Sequence, residues 1–150
     1  MTTPQVNQED IVRQLATEIR ILEGTAATLQ SRLDVVRTAT NEAALAQATL
    51  EGLTKLQDGD DTLVPVGAGS YIRMRIADSK KLVMGIGAGA AMEKDATTSI
   101  EELKIRVQEL YKVSNSIQQQ LSQTLARYEQ DREALDQLLR QQSANQQTES

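Results

Sequence analysis

The sequence predicts a mainly α protein with a small β part: two long helices pairing as an antiparallel coiled coil, joined by two tandem β-hairpins. Three observations predict it. Residues 12–36 carry apolar side chains alternately three and four apart. Residues 100–138 repeat that pattern, with more polar interruptions. Between them, residues 62–94 are rich in glycine and β-branched residues and contain a short motif that recurs after 20 residues.

The first helix is expected over residues 7–57. Pro4 and its polar neighbours read as a frayed leader. Asn7 is a plausible N-cap, and Glu9 and Asp10 suit the positive end of the helix. The seam is Val12, Leu15, Ile19, Leu22, Ala26, Leu29, Leu33 and Val36. Holding one register over several turns marks a coiled coil rather than a merely amphipathic helix. Thr40, Ala43 and Gln47 continue it weakly before Leu50, Leu53 and Leu56, which reads as an Ala-rich stretch where helices approach closely. Gly24 costs roughly 1 kcal/mol against Ala, too little to break so long a helix. The run from Gln57 through Gly59 to Asp61 has the chemistry of a turn.

The middle reads as four short strands over residues 62–94. Leu63, Val64 and Val66 form an extended run around Pro65, which lacks a ladder donor and belongs at an edge or beside a bulge. Ile72, Met74 and Ile76 alternate with Arg73 and Arg75, giving one apolar and one wet face. Leu82, Met84 and Ile86 repeat the alternation. Val66-Gly-Ala-Gly is echoed by Ile86-Gly-Ala-Gly 20 residues later, which makes each Gly-Ala-Gly a hairpin turn. Gly85 to Gly89 superficially resembles a phosphate-binding loop. The third glycine is displaced, no helix follows, and no Gly-Lys-Ser/Thr element is present, so tight turns are the better reading. Small two-stranded sheets are marginal alone and leave unpaired edges, so the middle is expected to drive oligomerisation.

The second helix is expected over residues 98–142. Thr98 with Glu101, and Ser99 with Glu102, offer overlapping capping boxes. Its seam is Ile100, Leu103, Val107, Leu110, Ser114, Ile117, Leu121, Thr124, Tyr128, Asp131, Leu135 and Leu138. Residues 143–150 are polar and are expected to be a disordered tail. Matching the seams pairs positions whose numbers sum to roughly 154, placing Thr40 near Ser114, Leu29 near Leu125 and Ile19 near Leu135. At ~1.5 Å per residue, arms of about 45 residues reach roughly 65–70 Å, so both termini lie far from the hairpins. Ile11, Ile21, Val35, Leu125 and Leu139 are apolar but off the seams, and several gather toward the free ends. Apolar surface exposed there is a contact site.

Composition narrows the function. Aromatic residues are 2% of the chain, all tyrosine, which suits long helices better than a thick core. A formal net charge of -5 disfavours nucleic acid as the main ligand. The absence of Cys and His removes disulfides, thiolate and imidazole chemistry and any ordinary zinc site. No apolar run approaches the ~18–20 residues that span a bilayer, so a soluble, cytoplasmic protein without membrane contact is expected. Charged residues scattered along wet helix faces imply no convergent pocket, no cofactor and no enzyme.

The order helix, two hairpins, helix, with LVPVGAGSYIRMRI followed by VMGIGAGAAMEK, resembles the alpha-class subunit of prefoldin, an archaeal and eukaryotic co-chaperone. The resemblance covers nearly the whole chain as one domain, is most specific over residues 63–94, and is of archaeal type. The doubled hairpin separates the alpha class from the beta class, which has one. The resemblance implies two alpha chains assembled with four beta-class chains, their hairpins forming a β-barrel platform. It implies that the coiled-coil tips hold unfolded client proteins and deliver them to a group II chaperonin without ATP. Val64, Val66, Ile72, Met74, Ile76, Leu82, Met84 and Ile86 would carry oligomerisation. Ile11, Val12, Leu15, Ile19, Leu135, Leu138 and Leu139 would carry client binding. The rival reading is a coiled-coil scaffold or tether with one fixed, folded partner.

Overall fold

The structure, a computed structural model, describes the backbone of residues 7–148 and the side chains of residues 7–144. The expected leader and the last residues of the expected tail lie outside them. The order is α1 (Gln8–Leu53), β1 (Asp61–Gly67), β2 (Ser70–Arg75), β3 (Lys81–Gly87), β4 (Ala90–Asp95) and α2 (Ala96–Thr148). Contacts divide the chain into two compact units, Met1–Val36 with Val113–Ser150, and Arg37–Lys112.

The first unit is a helix pair. Asn7 starts α1 by accepting the Asp10 and Ile11 N–H groups through its carbonyl, at 2.8 and 3.3 Å. Every seam residue from Val12 to Val36 is buried or half-buried, as are those from Ser114 to Leu138 on α2. Leu29, Leu33 and Ile117 are the core, flanked by Val36 and Leu121. The Arg127 guanidinium reaches Glu18 at 3.0 Å, and the Tyr128 hydroxyl lies 3.2 Å from Glu23. Glu18 lies against Arg127 while Leu33 packs with Ile117, so rising numbers on α1 meet falling numbers on α2 and the pair is antiparallel. Leu29 clusters with Ile117 and Leu121, whereas Leu125 is exposed, so the expected register is about one turn off. A shift of one turn returns the same face to the partner, which is why the seams alone left it undetermined.

The second unit holds the hairpins. β1 pairs with β2 from Asp61↔Arg75 to Gly67↔Ser70, and β3 with β4 from Lys81↔Asp95 to Gly87↔Ala90. The register slips between Pro65 and Gly67, and again between Gly85 and Gly87, so Val66 and Ile86 are bulged. Pro65 sits beside its bulge, where a missing donor is tolerated, and the same bulge forms beside Gly85 without a proline. Ala68-Gly69 and Ala88-Gly89 form two-residue turns with both φ positive, 48° and 72° in the first, 52° and 76° in the second. This turn follows the twist of the strands. The 20-residue repeat is therefore a repeat of backbone geometry.

Two boundaries differ from expectation. The helix ladder of α1 ends at Leu53, and Lys55 and Leu56 close tight i→i−3 turns onto Gly52 and Leu53. α2 begins at Ala96, whose N–H donates to the Lys80 carbonyl at 2.8 Å, so the helix starts straight from β4. Neither expected capping box forms: Glu102 takes the Lys94 ammonium at 2.8 Å, and Glu101 takes Lys104 at 3.1 Å. At its far end α2 remains helical through Thr148, where a disordered tail was expected. Gln, Ser and Ala tolerate a helix, and no Gly or Pro stops it there.

Candidate binding surfaces

No described helix is long and apolar enough to cross a membrane. The surfaces of interest are apolar.

The first lies on the hairpins. Val64 opposes Ile72, Thr62 opposes Met74, and Met84 opposes Met92, each pair sharing one face of its hairpin. Val64, Val66, Ile72, Met74 and Ile86 are exposed in the chain, while Ile76, Leu82 and Met84 are half-buried. Part of this set already packs within its own unit. Leu50 and Leu53 at the end of α1 line a hollow of about 380 Å³ with Val64, Met74, Ile76, Leu82 and Ala96. Sequence reasoning missed the opposite face. Leu63, Tyr71 and Val83 are 61%, 62% and 73% exposed, in strand positions one residue off the face chosen. The repeat itself held that signal, because Leu63 and Val83 are 20 residues apart.

The loops below the hairpins hold them to the helices. The Asp58 carboxylate accepts the Ser79 N–H at 2.8 Å. That bond, with Lys80 nearby, keeps the Asp58 carboxyl below the ordinary value. Asp60 accepts the Gln57 N–H at 2.8 Å, and Gly59 and Ile76 extend the first hairpin by backbone bonds. Across β3 and β4, Glu93 lies 3.1 Å from Lys81 and holds its ammonium above the ordinary lysine value.

The second surface is in the first unit, at the residues expected to hold clients. Val12, Leu15, Ile19, Leu135 and Leu138 sit half-buried on the seam. Ile11 and Leu139 are exposed, at 36% and 44%. Leu139 lines a shallow hollow of about 460 Å³ with Asp136, Arg140, Ser143 and Ala144. Within the same seam, Asp131 is 5% exposed. One of its oxygens takes the Arg127 Nε at 3.0 Å, and the other has no hydrogen-bond partner. Asp131, then Glu18, raise the Arg127 pKa further. Nearer the core, Val35, Val36, Val113 and Ile117 line an apolar groove of about 590 Å³. Val113 was not singled out in the sequence, and neither were Leu45, Ile105 and Tyr111, exposed on the helices of the second unit.

The family model described as prefoldin subunit matches residues 22–141. The chain belongs to the prefoldin subunit family. Among curated prefoldins, the alpha subunit of Methanococcoides burtonii is 36% identical over 115 residues, covering 77% of this chain and 83% of that one. Prefoldin subunit alpha 1 of Thermococcus kodakarensis is 35% identical over 98 residues, covering 65% and 67%. One solved chain, from a cryo-EM structure of filamentous PFD from Methanocaldococcus jannaschii, aligns with a TM-score of 0.48 and 21% identity over 81% of this chain and 95% of that chain. Prefoldin relatives of archaeal alpha type agree with the resemblance read from the hairpins. Membership makes the chain a co-chaperone subunit and not an enzyme.

Proposed function

We propose that the chain holds unfolded polypeptides, without ATP, and delivers them to a group II chaperonin. In this reading its hairpins join it to beta-class subunits, two alpha with four beta, in a β-barrel platform. The residues at the free end of the helix pair, Ile11, Val12, Leu15, Ile19, Leu135, Leu138 and Leu139, hold the client.

The observation that carries the reading is apolar surface left open at both places. Val64, Val66, Ile72, Met74 and Ile86 are exposed on the hairpins, and Ile11 and Leu139 at the other set. A surface that serves many unfolded chains cannot depend on a fixed pattern of hydrogen bonds. It needs weak, non-directional contacts multiplied over several copies. Family membership supports the co-chaperone role and assembly with other prefoldin subunits.

Replacing Leu15, Leu138 and Leu139 together with Ser tests the assignment. The variant keeps its complex with a beta-class subunit and suppresses aggregation of an unfolded protein less than the wild type does. Loss of the complex would make these residues structural. Undiminished suppression would remove them from the client surface. Saturable binding of one folded protein, with indifference to unfolded ones, would favour the scaffold reading.

A further inference from the structure

A groove runs along one side of the helix pair in the first unit. Two hollows make it up. One, of about 720 Å³, lies over Gly24, Thr25, Thr28, Gln123 and Thr124. The other is the apolar hollow of about 590 Å³ between Val35, Val36, Val113 and Ile117. Leu29, Arg32 and Gln120 line both, so the two hollows meet there. None of the residues lining the groove belongs to the free-end set proposed to hold clients. Its rim on α1 is Ile21, Thr25, Thr28, Arg32 and Val35, alternately four and three apart. Its rim on α2 is Val113, Ser116, Gln120 and Gln123, with the same alternation. Each rim thus repeats the heptad spacing of the buried seam, displaced toward solvent.

The floor of the groove is core, but its rims are not. Leu29 and Ile117 are buried, whereas Val35, Val113 and Ile21 are exposed. Arg32 is the one charged residue lining either hollow, and among the described residues it forms no ion pair. At the other end a Cβ built on Gly24 would meet nothing within 4 Å, so there is open space over it. The groove is therefore ordered along its length: apolar at Val35 and Val113, cationic at Arg32, small and hydroxyl-bearing at Gly24 and Thr25. A surface for many unfolded chains has no use for such an order. A surface for one fixed occupant does, because complementary charge sets its register and orientation.

We propose that this groove docks one amphipathic helix of a partner protein, bearing aliphatic side chains and a carboxylate. The aliphatic side chains, three and four residues apart, lie on Val35 and Val113. An Asp or Glu about one turn along meets Arg32 and gives it the ion pair it lacks within the chain. A helix fits better than an extended segment. The side chains of Val35, Val36, Val113 and Ile117 offer no hydrogen-bond partner, so an extended backbone laid on them would be left unsatisfied, whereas a helix satisfies its own. From Ile21 to Val35 the rim rises roughly 21 Å at ~1.5 Å per residue, which about four turns of the incoming helix cover. The inference goes beyond the client-holding reading and does not depend on it.

The test uses the full chain in complex with a beta-class subunit and reads fluorescence anisotropy. The probe is an end-capped, dye-labelled peptide of about 21 residues, long enough to be helical, with Leu on one face, Glu beside it and Ala and Gln elsewhere. A twin peptide carries Lys in place of Glu. The Glu peptide binds saturably, and the Lys twin binds roughly tenfold more weakly. Arg32→Glu exchanges that preference, which an arginine with a merely structural role would not do. Val35→Ser with Val113→Ser weakens both peptides roughly tenfold by removing apolar contact. These side chains are exposed, and helicity by circular dichroism checks that each variant is folded. Failure of either peptide to saturate, an unchanged preference in Arg32→Glu, or undiminished binding in the Val35→Ser, Val113→Ser variant would each overturn the proposal. So would loss of peptide binding in the Leu15→Ser, Leu138→Ser, Leu139→Ser variant, which would assign the peptide to the free end and leave the client-holding reading standing.

Discussion

Replacing Asp131 with Leu stabilises the helix pair. Asp131 occupies a seam position between Tyr128 and Leu135 and is 5% exposed. Its Oδ1 meets Arg127, but its Oδ2 is buried without a partner. An unsatisfied buried acceptor costs about 1–3 kcal/mol. The Arg127 side chain is 56% exposed, so the pair returns at most about 0.5–1 kcal/mol. Arg127 is not orphaned by the change, because Glu18 lies 3.0 Å from its guanidinium. Leu also favours the helix slightly over Asp. The net expectation is a gain of about 1–2 kcal/mol, or a rise in Tm of roughly 3–6 °C. Thermal and urea unfolding followed at 222 nm measure it. A loss of more than about 1 kcal/mol would show that the Asp131–Arg127 link contributes more than the unpaired oxygen costs, and would refute the reasoning.

The remaining predictions concern packing, turns and pH. Leu33, 3% exposed in the core with Leu29 and Ile117, loses about 2–3 kcal/mol on replacement by Ala, read from the same unfolding curves. Ala68 and Ala88 hold a left-handed backbone that costs a residue with a Cβ about 1 kcal/mol, so exchanging both for Asn raises hairpin stability and Tm. An unchanged or lower Tm would contradict that. Asp58 has a folded pKa below its unfolded value, so its contribution is fully present above the unfolded pKa and is lost as pH falls through the folded one. The Ser79 amide resonance therefore titrates with a midpoint below about 3.9, and a midpoint at or above that would remove the bond's assigned role.

Much of the fold was legible because period carries so much information in a coiled coil. Residues 12–36 needed only their spacing to place the buried face. Pro65 announced its bulge, and the 20-residue echo announced two identical turns. What was illegible depended on tertiary detail. The relative register of the helices was missed by about one turn, since neighbouring turns present equivalent faces. The start of α2 was missed because a backbone bond to Lys80, rather than a side-chain cap, initiates it. Of the binding surfaces, the apolar hairpin face was evident from alternation, but Leu63, Tyr71 and Val83 sit on the face that reads as wet. Their neighbours Arg73 and Glu93 disguised it.

The most direct test of the account is an aggregation assay with a chemically unfolded protein and no nucleotide. The chain is assayed alone and with a beta-class subunit, with mass measured in parallel by light scattering. The account predicts a complex of hexamer size that suppresses aggregation. A hexamer with no effect on aggregation would contradict the client-holding claim and leave a scaffold in its place.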